Sequence, residues 1–205
     1  MSFAAFLFAA VVLAITPGPG IAYVVARTVA GGRAEGLASC LGTGIGGMLH
    51  VLAAALGLSL IIAQSAVAFS LVKYLGAAYL IYLGIRLLLR KDAELSVKAV
   101  TPQGVRRALA EGVVVEALNV KTALFFLAFL PQFVSPVEPL IPQLVLLGSI
   151  CVALNTIVDV IAVVAADRLL KSEVARASRA RLLTKVSGVT MLGLGTYLAL
   201  ARREA

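Results

Sequence analysis

Long runs of apolar residues limit what this chain can fold into more than any other feature of its sequence. About 20 consecutive apolar residues are needed for a helix to cross a bilayer, where lipid offers the backbone no hydrogen-bond partner. Only 14% of the residues are charged, against about 25% in a typical soluble domain. The sequence therefore predicts an all-α integral membrane protein with one transmembrane domain over residues 1–205 and about six spans, at residues 3–26, 37–63, 66–89, 112–134, 140–166 and 183–201.

The basic residues lie mainly in the loops between these spans. The formal net charge is +8, but no soluble basic domain remains outside the spans, so we expect no nucleic-acid partner. The first, third and fifth loops are rich in Lys and Arg, whereas the second and fourth contain none. The positive-inside rule places the odd loops in the cytoplasm and the N-terminus outside. Arg202 and Arg203 in the tail disagree with this and leave the side of the C-terminus open.

The longest polar segment, residues 91–110, divides the chain into two groups of three spans. Because three is an odd number, two such halves must be inverted relative to one another in the membrane. Inverted halves are a common plan for secondary transporters, whose sites lie near the midplane where the halves meet. The spacing of the spans thus predicts two inverted three-helix halves.

The first span is interrupted by a group of turn-forming residues, Thr16, Pro17, Gly18, Pro19 and Gly20. The two prolines lack an N–H, so the carbonyls of Leu13 and Ile15 lose their helical donors. We expect Thr16 and Pro17 to act as the N-cap and first residue of a second half-helix. A helix broken in this way presents carbonyls from one half and N–H groups from the other, which suit an ammonium and a carboxylate. An ordinary proline kink is the alternative.

Charged and amide side chains occur inside the fourth and fifth spans: Glu116, Asn119, Lys121, Asn155 and Asp159. A charge near mid-bilayer costs roughly 2.5–3.5 kcal/mol on insertion scales, so it usually has a partner and a function. A rise of ~1.5 Å per residue puts Pro17, Lys121 and Asp159 at a similar depth. We therefore predict that Lys121 and Asp159 pair beside the broken first helix. The alternative is that Lys121 extends to the interface and Asp159 closes a packing contact.

Three side chains are candidates for proton coupling: Glu116, His50 and Asp159. His50 is the only histidine, and its charge changes near neutral pH. A histidine that only makes a hydrogen bond between two helices is the alternative. The cysteines, Cys40 and Cys151, lie far apart inside apolar spans and are interpreted as packing residues. We expect no metal and no cofactor.

Small residues recur four apart in and before the second span, at Gly32, Gly36, Gly42 and Gly46 among others. Such spacing is typical of helices that pack closely in membranes. The same stretch fits the GxGxxG pattern by letter, but no strand precedes it, so dinucleotide binding is rejected.

Three stretches carry a resemblance to a known family: residues 16–19 (TPGP), 73–85 (KYLGAAYLIYLGI) and 118–133, which include LNVK, FF and LPQF. On these residues the chain resembles the LysE/RhtB family of amino-acid exporters, over nearly its whole length. The resemblance implies efflux of amino acids such as lysine, threonine, homoserine or leucine across the bacterial inner membrane, coupled to proton entry.

The chain departs from the family pattern at two positions. The family usually has Asn after PGP, where this chain has Gly20, which removes a side-chain ligand. It also usually has Asn-Pro-Lys in the fourth span, where Val120 replaces the proline. Without that proline we expect the fourth helix to be continuous, so that the two halves do not both contain a broken helix.

Three classes of function are weighed against one another. The first is a secondary exporter of amino acids or closely related small metabolites, with the solute, protons and the lipid bilayer as partners. The second is a related exporter of inorganic ions, against which the possible ligands are scattered along the chain. The third is a membrane enzyme or scaffold, for which no catalytic grouping is visible. The residues favour the first class and leave the solute and any homo-oligomer open.

Overall fold

The computed structural model describes residues 3–58, 66–89, 101–135 and 137–169, together with residues 185, 188, 189, 192, 193, 195, 196, 199 and 200. Every regular element within this part of the chain is helical, which confirms the predicted all-α class. The six main helices are α1 (Phe3–Ile15), α2 (Pro19–Ala53), α3 (Ala66–Leu89), α4 (Val105–Ala117), α5 (Val120–Leu124) and α6 (Leu140–Leu169). Looser helical turns extend α2 over Ala54–Leu58 and α5 over Phe125–Phe129 and Leu130–Phe133.

Two helical stretches in the described residues contain an apolar segment long enough to cross a membrane, Pro19–Gly57, which turns at Gly32, and Leu140–Ala166. Helices Val105–Ala117 and Val120–Phe133 are together also long and apolar enough to cross a membrane, as one span that is bent by 42°. Large apolar side chains such as Leu41 and Ile161, which are 61% and 60% exposed, cover the outside. A surface of this kind is stable against lipid and not against water. Most of the sixth predicted span, residues 183–201, lies outside the described residues.

The prediction of a first loop over residues 27–36 is wrong in its extent. Helix α2 continues through these residues except at Gly32 (φ 73°, ψ −170°). Residues eight apart in a straight helix are separated by ~12 Å. Arg27 and Glu35 nevertheless approach to 3.6 Å, and Thr28 Oγ1 contacts the position of a Cβ on Gly36. The chain therefore turns back at Gly32, where glycine adopts a positive φ without steric cost. We call the two arms α2a (residues 19–31) and α2b (residues 33–53).

The glycines of α2b lie at two helix contacts. On the side that faces α6, the Cβ positions of three glycines contact α6 residues whose numbers decrease as the glycine numbers increase. The pairs are Gly36 with Val163, Gly44 with Thr156 and Gly47 with Val152. On the side that faces α4, the residue numbers of both helices increase together. The pairs are Gly42 with the Leu109 carbonyl and Gly46 with the Val113 carbonyl. The arm α2b is therefore antiparallel to α6 and parallel to α4. This confirms that the small residues of the second span serve close helix packing.

We expect Gly42→Ala to lower the free energy of unfolding by about 1–3 kcal/mol, the usual range for overpacking. The new Cβ would collide with the Leu109 carbonyl, which is backbone and cannot rotate away. Gly57→Ala is the matched control, since no atom lies within 4 Å of its Cβ position. Reversible denaturation of both variants in mixed micelles measures the difference. Equal stability of the two variants would contradict the close α2b–α4 contact.

Aromatic side chains hold α1 against the segment that follows α5. Phe125 and Phe129 stack with ring centroids 5.0 Å apart, and Phe6 meets Phe133 edge-on at 5.6 Å. Phe6, Phe125 and Phe129 belong to one buried cluster that also contains Leu13 of α1, and the partly buried Phe133 packs against it. The cluster fixes the C-terminal end of α1 beside the start of α5, where the polar residues of both chain segments meet.

Candidate functional site

The first helix is broken at residues 16–18. Helix α1 ends at Ile15, and α2 begins at Pro19 with an extended Gly18 at its N-cap. The prediction that Thr16 caps the second half-helix is wrong, because its hydroxyl donates back to the Val12 carbonyl at 2.6 Å. A threonine hydroxyl readily takes a carbonyl one turn earlier, while Pro19 suits a first helical position. The hydrogen-bond ladder of α2 then starts from the Ala22 N–H, which donates to the Gly18 carbonyl at 3.0 Å.

The fourth span is also broken, and the prediction that Val120 keeps it continuous is wrong. Helix α4 ends at Ala117 and α5 begins at Val120. Asn119 lies between them as an N-cap, and its side-chain oxygen accepts a hydrogen bond from the Lys121 N–H at 3.1 Å. An asparagine cap satisfies a first-turn donor and so starts a new helix without a proline. Both the first and the fourth spans thus contain a break.

Lys121 joins the two breaks. Its ammonium donates to the carbonyl oxygens of Leu13 at 3.2 Å and Thr16 at 2.9 Å. Pro17 has no N–H to offer the Leu13 carbonyl, so the lysine adds to the one hydrogen bond that this carbonyl accepts from the Thr16 N–H at 3.3 Å. The prediction that Lys121 and Asp159 form an ion pair is wrong, since the Lys121 nitrogen and the Asp159 carboxylate oxygens lie more than 4.0 Å apart. Carbonyls at the end of a helix carry partial negative charge and hold the cation instead.

Glu116 is buried at the end of α4 with both carboxylate oxygens bonded. Oε2 accepts from the Asn119 side-chain amide at 2.9 Å, and Oε1 accepts from the Thr122 hydroxyl at 2.6 Å. Oε2 also lies 2.6 Å from the position that a Cβ on Gly20 would take. The glycine at this position, which departs from the family pattern, leaves room for the carboxylate of Glu116.

Asp159 lies on α6 and faces α2b. Its Oδ2 accepts a hydrogen bond from the Thr43 hydroxyl at 2.9 Å, and the residue is only 7% exposed. Asn155 and Thr156 lie one turn earlier on the same side, and the Thr156 hydroxyl donates to the Val152 carbonyl at 2.9 Å. A buried carboxylate is thus presented by a helix that starts in the other half of the chain.

These side chains surround one small cavity. It is lined by Ala14, Gly20, Ile21, Thr43, Gly44, Gly47, Glu116, Asn119, Lys121, Thr122, Val152, Asn155, Thr156 and Asp159. The volume of the cavity is about 20 Å³, which is room for about one water molecule. An amino acid does not fit this volume, so the surrounding helices must separate before a solute of that size can enter.

The structure brings most of the candidate residues together. Six of them line the cavity: Gly20, Glu116, Asn119, Lys121, Asn155 and Asp159. Thr16, Pro17, Gly18 and Pro19 form the break beside it. The Thr16 carbonyl binds Lys121, and the absence of a side chain at Gly18 leaves room for the lysine. His50 does not line the cavity, and its Nε2–H donates to the Glu116 carbonyl at 2.8 Å. That bond matches the alternative of a histidine placed between two helices.

The sequence analysis missed the hydroxyl residues that bond the two carboxylates, Thr43 and Thr122. Thr43 had a visible signal, since it lies among the small residues of the second span, but that row was interpreted only as packing. Thr122 had none, because threonine is common in membrane helices and nothing local shows that it will face Glu116, six residues earlier.

Comparison with known proteins gives the family. The model of the LysE type translocator family matches residues 11–202. A Vibrio cholerae protein described as an uncharacterized membrane protein is 34% identical over 75% of each chain. A homoserine/homoserine lactone efflux protein of Salmonella typhi is 29% identical over 97% of this chain and 96% of its own length. A leucine efflux protein of Salmonella choleraesuis is 31% identical over 65% of this chain and 64% of its own.

No solved structure matches the chain significantly. The family match nevertheless covers almost every residue and both broken spans. Members of this family are transporters and not enzymes. This chain therefore belongs to the LysE/RhtB family of membrane translocators.

Proposed function

We propose that this protein is a secondary exporter of amino acids or closely related small metabolites across the bacterial inner membrane, driven by proton entry. The observation that carries the proposal is the cavity at the two helix breaks, where Glu116, Lys121 and Asp159 converge from α4, α5 and α6. Buried charges at this depth are costly unless they serve a solute or ion pathway. The names of two relatives, a homoserine/homoserine lactone and a leucine efflux protein, support the solute class.

A polar network near the turn of α2 at Gly32 supports the proposal that one side of the cavity is closed to solutes. Glu35 Oε1 accepts from the backbone N–H groups of Gln103 at 2.9 Å and Gly104 at 2.7 Å. Arg27 donates to the Thr101 carbonyl at 3.3 Å. We place this network on the cytoplasmic side, following the basic loops, so the conformation described here is the one closed toward the cytoplasm. Opening of this network would admit the solute.

Asp159 is the proposed proton carrier. Oδ2 has the Thr43 hydroxyl as a partner, while no hydrogen bond to Oδ1 occurs in the described part of the chain. Glu116 is less suited, because both of its oxygens are already bonded within α4 and α5. Protonation of Asp159 would remove a negative charge from the cavity and so weaken its hold on a cationic group. Solute and proton would thereby compete for one carboxylate, as antiport requires.

The proposal is tested by measuring the uptake of a panel of labelled amino acids into inverted vesicles. Uptake is compared between vesicles with an acidic lumen and vesicles without a proton gradient. We expect gradient-dependent uptake of one or a few amino acids. In Asp159→Asn, acceleration by the gradient should fall by at least about tenfold, since proton transfer by a placed group typically contributes more than that. Ile161→Ala is the matched control on the same helix, because Ile161 is 60% exposed on the outer face.

The outcomes separate the parts of the proposal. No flux of any amino acid under either condition would contradict amino-acid export and favour another solute, inorganic ions included. Flux that is the same with and without the gradient would contradict proton coupling alone. A full gradient response in Asp159→Asn would exclude Asp159 as the carrier.

A further inference from the structure

Hydrogen-bond acceptors line one wall of the cavity. Asp159 is 7% exposed and accepts only from Thr43 through Oδ2, which leaves Oδ1 without a hydrogen bond in the described part of the chain. The Thr156 hydroxyl gives its hydrogen to the Val152 carbonyl, so its oxygen can still accept. Asn155 lines the same cavity, and its side-chain amide carries an oxygen that can serve as a third acceptor. Three acceptors including a carboxylate match the three N–H donors of a primary ammonium.

A carboxylate of the protein already lies beside the helix start that would attract the carboxylate of a solute. The N–H groups of Gly20 and Ile21 precede the ladder of α2, which begins at Ala22, and both residues line the cavity. Such a helix start attracts anions, including substrate carboxylates in broken-helix transporters. Here Glu116 lies against it, with Oε2 at 2.6 Å from the Cβ position of Gly20. A negative charge of the protein itself therefore lies beside this helix start and opposes the approach of a solute carboxylate.

The one ammonium group of the cavity is also engaged. Lys121 donates to two carbonyls, of Leu13 at 3.2 Å and of Thr16 at 2.9 Å, which uses two of its three donors. Gly18 leaves room for the ammonium in this position, because a Cβ at residue 18 would lie only 3.1 Å from Nζ. With Glu116 and Asp159 ionised, the lining has one more negative than positive charge. This excess favours a cation over an anion or a neutral molecule.

We propose that this site recognises its solute by the primary ammonium group, bound by Asp159 with Asn155 and Thr156, and makes no requirement for a free carboxylate. This inference rests on the proposed function for the solute class and adds that carboxyl-blocked derivatives belong to it. Amides and esters of amino acids therefore bind as well as the free amino acids, whereas carboxylates without an amino group do not bind.

Calorimetric titration of the purified full-length protein in detergent tests this, with leucine, leucinamide and 4-methylpentanoate as probes. Threonine, threoninamide and 3-hydroxybutanoate form a second set with a polar side chain. We expect the dissociation constant of each amide to lie within threefold of that of its amino acid, and each deaminated acid to bind at least tenfold more weakly. The inference would be overturned if the amides bound more than threefold more weakly than the amino acids, or did not bind at all. It would also be overturned if the deaminated acids bound less than tenfold more weakly.

Glu116→Gln tests the second half of the argument. Without the resident negative charge, we expect the preference to shift toward the free amino acid over its amide by on the order of tenfold. Glu138→Gln is the matched control, since Glu138 is an exposed residue before α6. No shift in Glu116→Gln would overturn the role of Glu116, and the wild-type titrations decide the inference if that variant does not fold. Because binding is measured without flux, failure of export and failure of this inference remain distinguishable.

Discussion

Lys121→Met is expected to reduce amino-acid flux by about 100-fold, the scale of loss caused by misplacing a bound solute by an ångström. Methionine keeps most of the length of lysine but cannot donate. The carbonyls of Leu13 and Thr16 would lose the ammonium that now binds them at 3.2 and 2.9 Å. The end of α1 would then no longer be held to the start of α5, and the cavity between the two breaks would lose its shape.

Lys185→Met is the matched control for this experiment, because it makes the same chemical change at an exposed lysine. Flux is measured in proteoliposomes and normalised to the protein inserted, so that a loss of folded protein is separated from a loss of transport. A Lys121→Met flux within threefold of wild type would contradict the assignment of Lys121 as the link between the two broken helices.

Glu35→Ala is expected to lower the free energy of unfolding by about 3–5 kcal/mol, the usual cost of leaving one member of a buried ion pair alone. Arg27 and Glu35 are 5% and 4% exposed, and their charged atoms lie 3.6 Å apart. The substitution also removes the acceptor of the Gln103 and Gly104 N–H groups. The turn at Gly32 and the start of α4 would lose their common partner.

An exposed ion pair in the same region provides the contrast. Arg107 and Glu111 are in contact at 2.9 Å but their side chains are 70% and 38% exposed. We therefore expect Arg107→Ala to cost less than about 1 kcal/mol, since it leaves the bonds of Glu111 with Gln103 and Tyr23 in place. Replacing Arg27 by Met together with Glu35 by Leu should recover part of the loss, because no buried charge is then left alone. Equal costs for Glu35→Ala and Arg107→Ala, by denaturation in mixed micelles, would contradict the buried pair.

Local chemistry was enough to predict several elements of the fold. The apolar runs gave the all-α membrane class, and the predicted bounds of the third span, residues 66–89, agree with those of α3. The break in the first span was visible because Pro17 and Pro19 have no N–H, whatever surrounds them. The charges of the fourth and fifth spans could be picked out as site residues, because an ionised side chain inside lipid is costly in any fold.

Other features depended on partners far along the chain, and no local pattern contains them. Asp159 bonds Thr43, 116 residues away, and Lys121 bonds Leu13, 108 residues away. Depth alone suggested that Lys121 meets Asp159, but the carbonyls of Leu13 and Thr16 at the break in the first span bind its ammonium instead. The break at Asn119 escaped a search for proline, because a side-chain cap needs only one well-placed oxygen. The sequence by itself determined where helices and buried charges occur, since these follow from local hydrogen bonding and solvation. Only the tertiary structure decided which charge meets which partner, because that choice depends on how the helices pack.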